Sequence, residues 1–367
     1  MSSAKSPRGK TLTDGGNYQG SMSSGMDKIS NRKSSHVDIV LHEEVDYQKS
    51  SGFDRYEFLH CALPELNFGE INTTVKFFTH EFSAPIFVSS MTGGFDRARK
   101  INSAMAQLCK QKSIGMGVGS QRQALDNDDY LESFKVVRKI SKDIFVMGNI
   151  GAAQVADGFV LKKIRQIVDM VQADAIAVHL NPLQEFIQPE GDRDFRGVLS
   201  GISKLVGTLE IPVVVKETGA GIGPKVASRL IETGVSAIDV SGSGGTSWAA
   251  IETFRRDDRR VGEKFRNWGI PTAEALVRVN ALKSRKKIKL ISSGGIRDGI
   301  DVAKSMAMGA DLCAAAQPFL RAFNESGIDG LMKEFDYWVE ELKGIMFLTG
   351  SRNLNALKNA EMERVHT

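Results

Sequence analysis

Glycine, serine and arginine are combined in one segment of this 367-residue chain, IKLISSGGIRDGIDVAKSMAMGADLCAAAQPF at positions 288–319. The pattern predicts an apolar strand, a Ser-Ser-Gly-Gly turn, a helix at 296–308 and a second buried strand at 310–316. Glycine N–H groups, a helix N-terminus and the guanidinium of Arg297 can together bind a phosphate. The alternative is that Gly294 and Gly295 only form a tight turn between strand and helix.

Polar residues also follow other short apolar segments, at the point where each predicted strand ends. They are Ser89, Ser90, Met91, Thr92 and Gly93, then Gly119, Ser120, Gln121 and Arg122, Asn149, His179, Asn181, Gln184 and Glu185, Lys216 and Glu217, and Ser241 and Thr246. Glycine amides, hydroxyls and the Asn149 amide can bind a large planar polar cofactor that carries a phosphate. Lys216 could hold negative charge on the ring of such a cofactor, or it could pair with a carboxylate such as Glu217.

A second anion site is predicted from basic residues. Arg122 and His179 follow predicted strands, and Arg32, Lys33 and His36 lie close together near the N-terminus. This N-terminal cluster is either a solvated basic face or a phosphate-binding arm. Glu185 could hold a hard divalent cation between the protein and a diphosphate, or it could simply be an acidic residue at a helix N-terminus.

The elements that must position these residues form a repeating unit of buried strand, polar loop and amphipathic helix. Eight strands are predicted, at 86–91, 114–118, 144–149, 175–180, 213–216, 237–241, 289–292 and 311–316. Near-continuous apolar strands that alternate with helices predict the α/β class and a single-domain (β/α)8 TIM barrel with an N-terminal extension. The carboxyl ends of barrel strands meet at one mouth, so the polar groups should converge there.

The predicted organisation has four parts. Residues 1–27 are a flexible tail or leader, 28–84 an N-terminal arm and barrel cap with a short hairpin, 85–355 the barrel, and 356–367 a C-terminal tail. An insertion at 247–271 interrupts the repeat after the sixth strand. Its Arg-Arg-Asp-Asp-Arg-Arg run is either a solvated, self-paired loop or part of a lid over the mouth.

Composition limits the classes of function. An apolar fraction of 41% and a charged fraction of 25% exclude a disordered chain, and a net charge of +4 on mixed acids and bases gives no nucleic-acid footprint. Three widely spaced cysteines, and no apolar run near the roughly 18 residues of a membrane span, predict a cytoplasmic protein without membrane association.

Seven motifs together resemble the type 2, flavin-dependent isopentenyl-diphosphate isomerases. They are NRKSSH, SSMTGG, GMGVGSQR, HLNPLQE, KETGAGI, DVSGSGGTSW and SSGGIRDGIDVAKSMAMGAD, within residues 28–355. The resemblance implies that FMN is bound by Ser90, Met91, Thr92, Gly93, Ser120, Asn149, Lys216, Ser241, Thr246, Gly295, Ile296, Arg297, Ala316 and Gln317. It implies that the substrate contacts Arg32, Lys33, His36, Gln121, Arg122, His179, Asn181 and Gln184. Catalytic roles fall on Gln184, His179 and Lys216, and Glu185 would bind Mg²⁺.

The implied reaction is the redox-neutral interconversion of isopentenyl and dimethylallyl diphosphate, in which one proton is added and another is removed. Reduced FMN and Mg²⁺ would be required, with NADPH as the reductant of the flavin, and a homo-oligomer, a tetramer or octamer, is expected. Two alternatives stay open. One is an FMN-dependent 2-hydroxy acid oxidase or dehydrogenase with His179 as the base, and the other is a non-catalytic barrel that binds a phosphate ligand.

Overall fold

The computed structural model describes residues 25–125, 128–156, 161–283 and 287–365. Positions 1–24 of the predicted tail lie outside the described residues, and the first helix begins at Gly25. The strands are β1 Tyr56–Phe58, β2 Val75–Phe77, β3 His80–Phe82, β4 Ile86–Val88, β5 Gly115–Gly117, β6 Val146–Gly151, β7 Ala175–His179, β8 Val213–Lys216, β9 Ala237–Asp239, β10 Lys289–Ser293, β11 Leu312–Ala315 and β12 Met362–Arg364. The helices are α1 Gly25–His42, α2 Asp96–Lys112, α3 Glu132–Ile140, α4 Ala152–Ala156, α5 Leu161–Val171, α6 Pro182–Ile187, α7 Val198–Val206, α8 Pro224–Glu232, α9 Trp248–Phe254, α10 Arg260–Phe265, α11 Thr272–Lys283, α12 Gly299–Ala307, α13 Gln317–Leu348 and α14 Leu354–Leu357.

Strands β4 to β11 form a closed parallel barrel, which confirms the predicted (β/α)8 fold. Neighbours in the barrel are neighbours in sequence, and β11 closes onto β4 by pairing Cys313 with Ile86. The strands are largely apolar and buried because their outer face is covered by helices and their inner face is packed. In β8, for example, Val213, Val214, Val215 and Lys216 are all buried.

A hairpin of β2 and β3 closes the amino-terminal end of the barrel, within the residues 28–84 for which a short hairpin was predicted. Phe77 and Phe82 are buried and contact the ring of Phe145, which begins the segment leading into β6. Strand β12 pairs antiparallel with β1, so residues near the C-terminus are joined to this N-terminal region. These apolar side chains fill this end of the barrel, so ligands are expected at the opposite end, where the strands finish.

The helix after the Ser-Ser-Gly-Gly turn begins later than predicted. It begins at Gly299, where the side chain of Asp298 accepts a hydrogen bond from the backbone N–H of Asp301, and not at 296. An aspartate in this capping position satisfies a free N–H of the first turn and so fixes the helix start. The N-terminus of α12 is therefore capped by a carboxylate. The N-terminus of α13, at Ala316 and Gln317, has no side-chain cap among the described residues.

The insertion at 247–271 contains α9 and α10, and its arginine-rich run is solvated at Asp257, Asp258, Arg259 and Arg260 but anchored at its first two arginines. Arg255 donates to Glu252 and to Glu190, which lies outside the run, over 2.6 and 2.7 Å. Arg256 donates to the backbone oxygen of Ile187. These contacts fasten the insertion to the segment after β7, at the mouth of the barrel.

Candidate active site

A cavity of about 710 Å³ opens at the carboxyl ends of the barrel strands. Its size is in the range of sites for cofactors and small molecules. The structure brings to its wall every residue predicted for the cofactor, substrate and metal except Gln121: Arg32, Lys33, His36, Ser90, Met91, Thr92, Gly93, Ser120, Arg122, Asn149, His179, Asn181, Gln184, Glu185, Lys216, Ser241, Thr246, Gly295, Ile296, Arg297, Ala316 and Gln317. Residues from both the barrel and helix α1 thus share one site.

Gln121 is not among the residues that line the cavity, and its contact with substrate stays a prediction. Its side chain is fully buried, with Nε2 donating to the backbone oxygen of Ile167 and Oε1 accepting from the backbone N–H of Asn149. Both ends of the amide are therefore satisfied by the backbone. Gln121 holds the end of β6 in place, and its neighbour Arg122 lines the cavity.

One end of the cavity is built from two glycine loops that pack backbone against backbone. A Cβ on Gly245 would lie 2.5 Å from the backbone nitrogen of Gly295, and a Cβ on Gly294 would lie 2.0 Å from the oxygen of Gly242. Gly294 and Gly295 also have φ values of 92° and 74°, which favour glycine. Because no side chains separate them, the two loops lie close together beside the N-terminus of α13. Their backbone N–H groups can then bind a phosphate.

The wall formed after β4 fits a polar cofactor. The hydroxyls Ser90 Oγ and Thr92 Oγ1 are buried and have no hydrogen-bond partner among the described residues. Buried polar atoms in native proteins nearly always have a partner, so these two hydroxyls indicate that a ligand supplies one. Both residues were predicted to bind FMN, and the donor set along this wall fits that group.

Lys216 lies in the barrel centre and lines the cavity. Its Nζ donates to the backbone oxygen of Glu217 over 2.7 Å, so it is not paired with the Glu217 carboxylate. That carboxylate instead accepts from the backbone N–H of Thr218 over 2.6 Å, and burial raises the pKa of Glu217 to about 7. Its charge acts on the buried carboxyl of Asp239 in β9, and Lys216 also lines the cavity where an anionic group would bind.

The surroundings of His179 favour its neutral form. Burial, together with the charges of Lys216 and Lys33, lowers the pKa of His179 to about 3. Its Nδ1 lies 2.9 Å from Asn149 Oδ1, which can only accept, so the proton is on Nδ1 and Nε2 carries the lone pair. An imidazole with so low a pKa is a weak base at neutral pH, which disfavours a reaction that begins with proton abstraction by His179.

Glu252, which the sequence did not reveal, organises the side of the cavity around Gln184. Its carboxylate is fully buried, accepts from Gln184 Nε2 over 2.8 Å and lies 3.0 Å from His36 Nε2. Burial opposes ionisation of Glu252, but His36 and Arg255 outweigh this and lower its pKa to about 2. Gln184 is thereby held in one orientation.

Glu185 presents a single carboxylate to the same part of the cavity. Its Oε1 accepts from Asn181 Nδ2 over 2.9 Å and its Oε2 accepts from the backbone N–H of Asp192 over 2.7 Å. Within the described ranges, no three His, Cys, Asp or Glu side chains are grouped as a metal cage. A lone carboxylate fits Mg²⁺, which commonly uses one or two carboxylates together with substrate phosphates.

Helix α1 covers the cavity and carries the N-terminal basic residues into it. Lys33 Nζ donates to the backbone oxygen of Ser120 over 2.9 Å, and Arg32 lies 3.6 Å from Glu190. Burial and the neighbouring charge of Arg32 lower the pKa of Lys33 to about 7. The cluster is thus directed at the site and is not a solvated face.

Comparison with known proteins identifies the family. The FMN-dependent dehydrogenase family matches residues 143–364. The isopentenyl-diphosphate delta-isomerase of Pseudescherichia vulneris is 44% identical over 343 residues, which are 92% of this chain and 98% of the relative. The chain belongs to the isopentenyl-diphosphate delta-isomerase family. A further member, from Cronobacter sakazakii, is 45% identical over 92% of this chain and 98% of its own length.

Solved structures agree on the fold of this isomerase family member. A mandelate oxidase variant with (S)-mandelic acid has a TM-score of 0.64 at 16% identity, covering 93% of this chain and 98% of its own. Identity this low shows a shared barrel and no shared substrate. Of the helices in the described parts of the chain, none is long and apolar enough to cross a membrane.

Proposed function

We propose that this chain interconverts isopentenyl and dimethylallyl diphosphate, with FMN and Mg²⁺ bound in the cavity at the barrel mouth. The observation that carries the proposal is the identity of 44% over 98% of the length of a named isomerase. The cavity supports it, since it gathers an FMN-type phosphate loop, a central lysine and a basic, metal-competent wall. Reduced FMN would supply an electron-rich ring and a nitrogen able to carry a proton.

The residues of the chain bind and orient the substrate. The cations of Arg32, Lys33 and Arg122 line the cavity and attract a diphosphate, while Glu185 holds Mg²⁺ against it. Fixing the diphosphate places the five-carbon group, which has no polar handle of its own. One proton is added to the terminal methylene and one is lost from the CH2 group on the other side of the branched carbon, so the double bond moves and no electrons are exchanged overall.

Three side chains surround the reacting carbons in this proposal. Lys216 would hold negative charge on the reduced ring, and neutral His179 lines the cavity without acting as a base. Gln184, oriented by Glu252, contacts the substrate on the opposite wall. NADPH as the reductant, assembly into a tetramer or octamer, and a location in the cytoplasm remain part of the proposal.

The test is an anaerobic assay of isopentenyl diphosphate with the purified protein, FMN, Mg²⁺ and a reductant. Dimethylallyl diphosphate should form, and its formation should stop when the reductant or Mg²⁺ is omitted. Reduction of the flavin by lactate, without isomerisation, would instead favour a 2-hydroxy acid dehydrogenase. Protein that neither retains FMN nor is stabilised by diphosphates would indicate a barrel without this activity.

A further inference from the structure

Gln123 has a buried amide that no described residue satisfies. It lies in a 3-10 helix at Arg122–Leu125, its side chain is 4% exposed, and both Nε2 and Oε1 are without a hydrogen-bond partner. An unpaired buried amide destabilises a folded protein, so its presence calls for a partner that is not part of the chain. Gln123 also lines the cavity.

The amide shares a small volume with the ammonium group of Lys33, and the absence of a side chain at Gly94 creates that volume. A Cβ on Gly94 would lie 2.5 Å from Gln123 Oε1 and 2.7 Å from Lys33 Nζ. The ammonium group has three N–H donors, and its hydrogen bond to Ser120 uses one of them. Unused donors of Lys33 and the unpaired amide therefore face the same space.

The chemistry of this space selects an anion with several acceptor oxygens. Lys33 disfavours a cation, and the ring of buried Phe134 has its centroid 5.7 Å from Lys33 Nζ. The Nε2 of Gln123 is a donor that no described residue uses. A phosphoryl group can accept from the amide and the ammonium group together.

We propose that Gln123 contacts the substrate and hydrogen-bonds its terminal phosphoryl group, so that the enzyme selects diphosphates over monophosphates. This inference rests on the proposed function. Burial and the charge of Arg32 lower the pKa of Lys33 to about 7, so the charged form of Lys33 is destabilised. A bound anion would stabilise that charged form.

The experiment compares isopentenyl diphosphate with isopentenyl monophosphate by calorimetry, on protein loaded with oxidised FMN and Mg²⁺. Gln123→Leu should lower the affinity for the diphosphate about tenfold, as expected for loss of a hydrogen bond to a charged group. Its affinity for the monophosphate should stay within about twofold of that of the unmodified protein. Gln107→Leu is the matched control and should change neither affinity, because Gln107 is a half-buried glutamine of α2 that does not line the cavity. An unchanged ratio of the two affinities in Gln123→Leu would overturn the proposal.

The stability of the protein without added phosphate ligand distinguishes a purely structural role of Gln123 from a role in binding. Removing an unpaired amide should leave the unfolding midpoint of Gln123→Leu equal or higher, whereas a structural glutamine would lower it. Gln123→Glu should lower the affinity for the diphosphate further, because glutamate keeps the shape of the side chain and adds a negative charge. If the unmodified protein fails to isomerise but Gln123→Leu still weakens inorganic pyrophosphate, the proposed function fails and the phosphoryl contact stands.

Discussion

Glu252→Gln tests whether one buried carboxylate fastens helix α1 and the 247–271 insertion to the barrel. The substitution keeps the shape of the side chain and removes the charge that faces His36 and Arg255. Lowering the pKa from its ordinary 4.5 to about 2 corresponds to about 3 kcal/mol of stability at neutral pH. Breaking a buried ion pair by removal of one partner typically costs about 3 to 5 kcal/mol, so the two arguments agree.

The sign of the pH dependence follows from the direction of this shift. A carboxyl whose folded pKa is lowered stabilises the fold above its unfolded pKa, and that contribution is lost as the pH falls through the folded value. The deficit of Glu252→Gln should therefore be about 3 kcal/mol at pH 7 and less than half of that near pH 3.

Urea unfolding of the FMN-free protein, followed by circular dichroism, measures the difference. Glu263→Gln is the matched control, since Glu263 is about half exposed, lies in the same insertion and only approaches Arg266 at 4.0 Å. It should change stability by less than about 1 kcal/mol. A Glu252→Gln deficit no larger than that of the control, or one that does not shrink at low pH, would refute the reasoning.

Three further predictions concern the site. Glu185→Gln should sharply weaken Mg²⁺ binding, measured by calorimetry, and turnover, while exposed Asp194→Asn should not; unchanged Mg²⁺ dependence would remove Glu185 from the metal site. Lys216→Met should reduce FMN retention, read from flavin absorbance after gel filtration, or turnover with retained FMN; normal values of both would contradict its role. Lys33 is cationic below its pKa of about 7, so the affinity advantage of the unmodified protein over Lys33→Gln for pyrophosphate should decline between pH 6 and 8.5; a constant ratio of affinities would refute it.

The barrel and the position of its mouth could be predicted from sequence. Eight apolar strands, each followed by polar residues, leave few arrangements, because parallel strands joined by helices place all their carboxyl ends together. For this reason Asn149, His179 and Lys216, which lie in or at the end of three consecutive barrel strands, could be predicted to meet at one cavity. The start of α12 was harder to predict from sequence. The prediction began the helix at 296, whereas Asp298 caps it and the helix begins at Gly299.

Other parts of the site depended on tertiary structure. Gln121, Arg122 and Gln123 are consecutive, yet one is satisfied by backbone groups, one lines the cavity and one has an unpaired amide. Glu252 lay in a charged insertion that resembled a solvated loop, and its partner His36 is more than 200 residues away in the sequence. The sequence by itself determined which residues follow the strands, since strand order and period are local properties of the chain. Only the packed structure decided which side chains lose water and meet a distant charge, because burial and pairing depend on segments that become neighbours only when the chain folds.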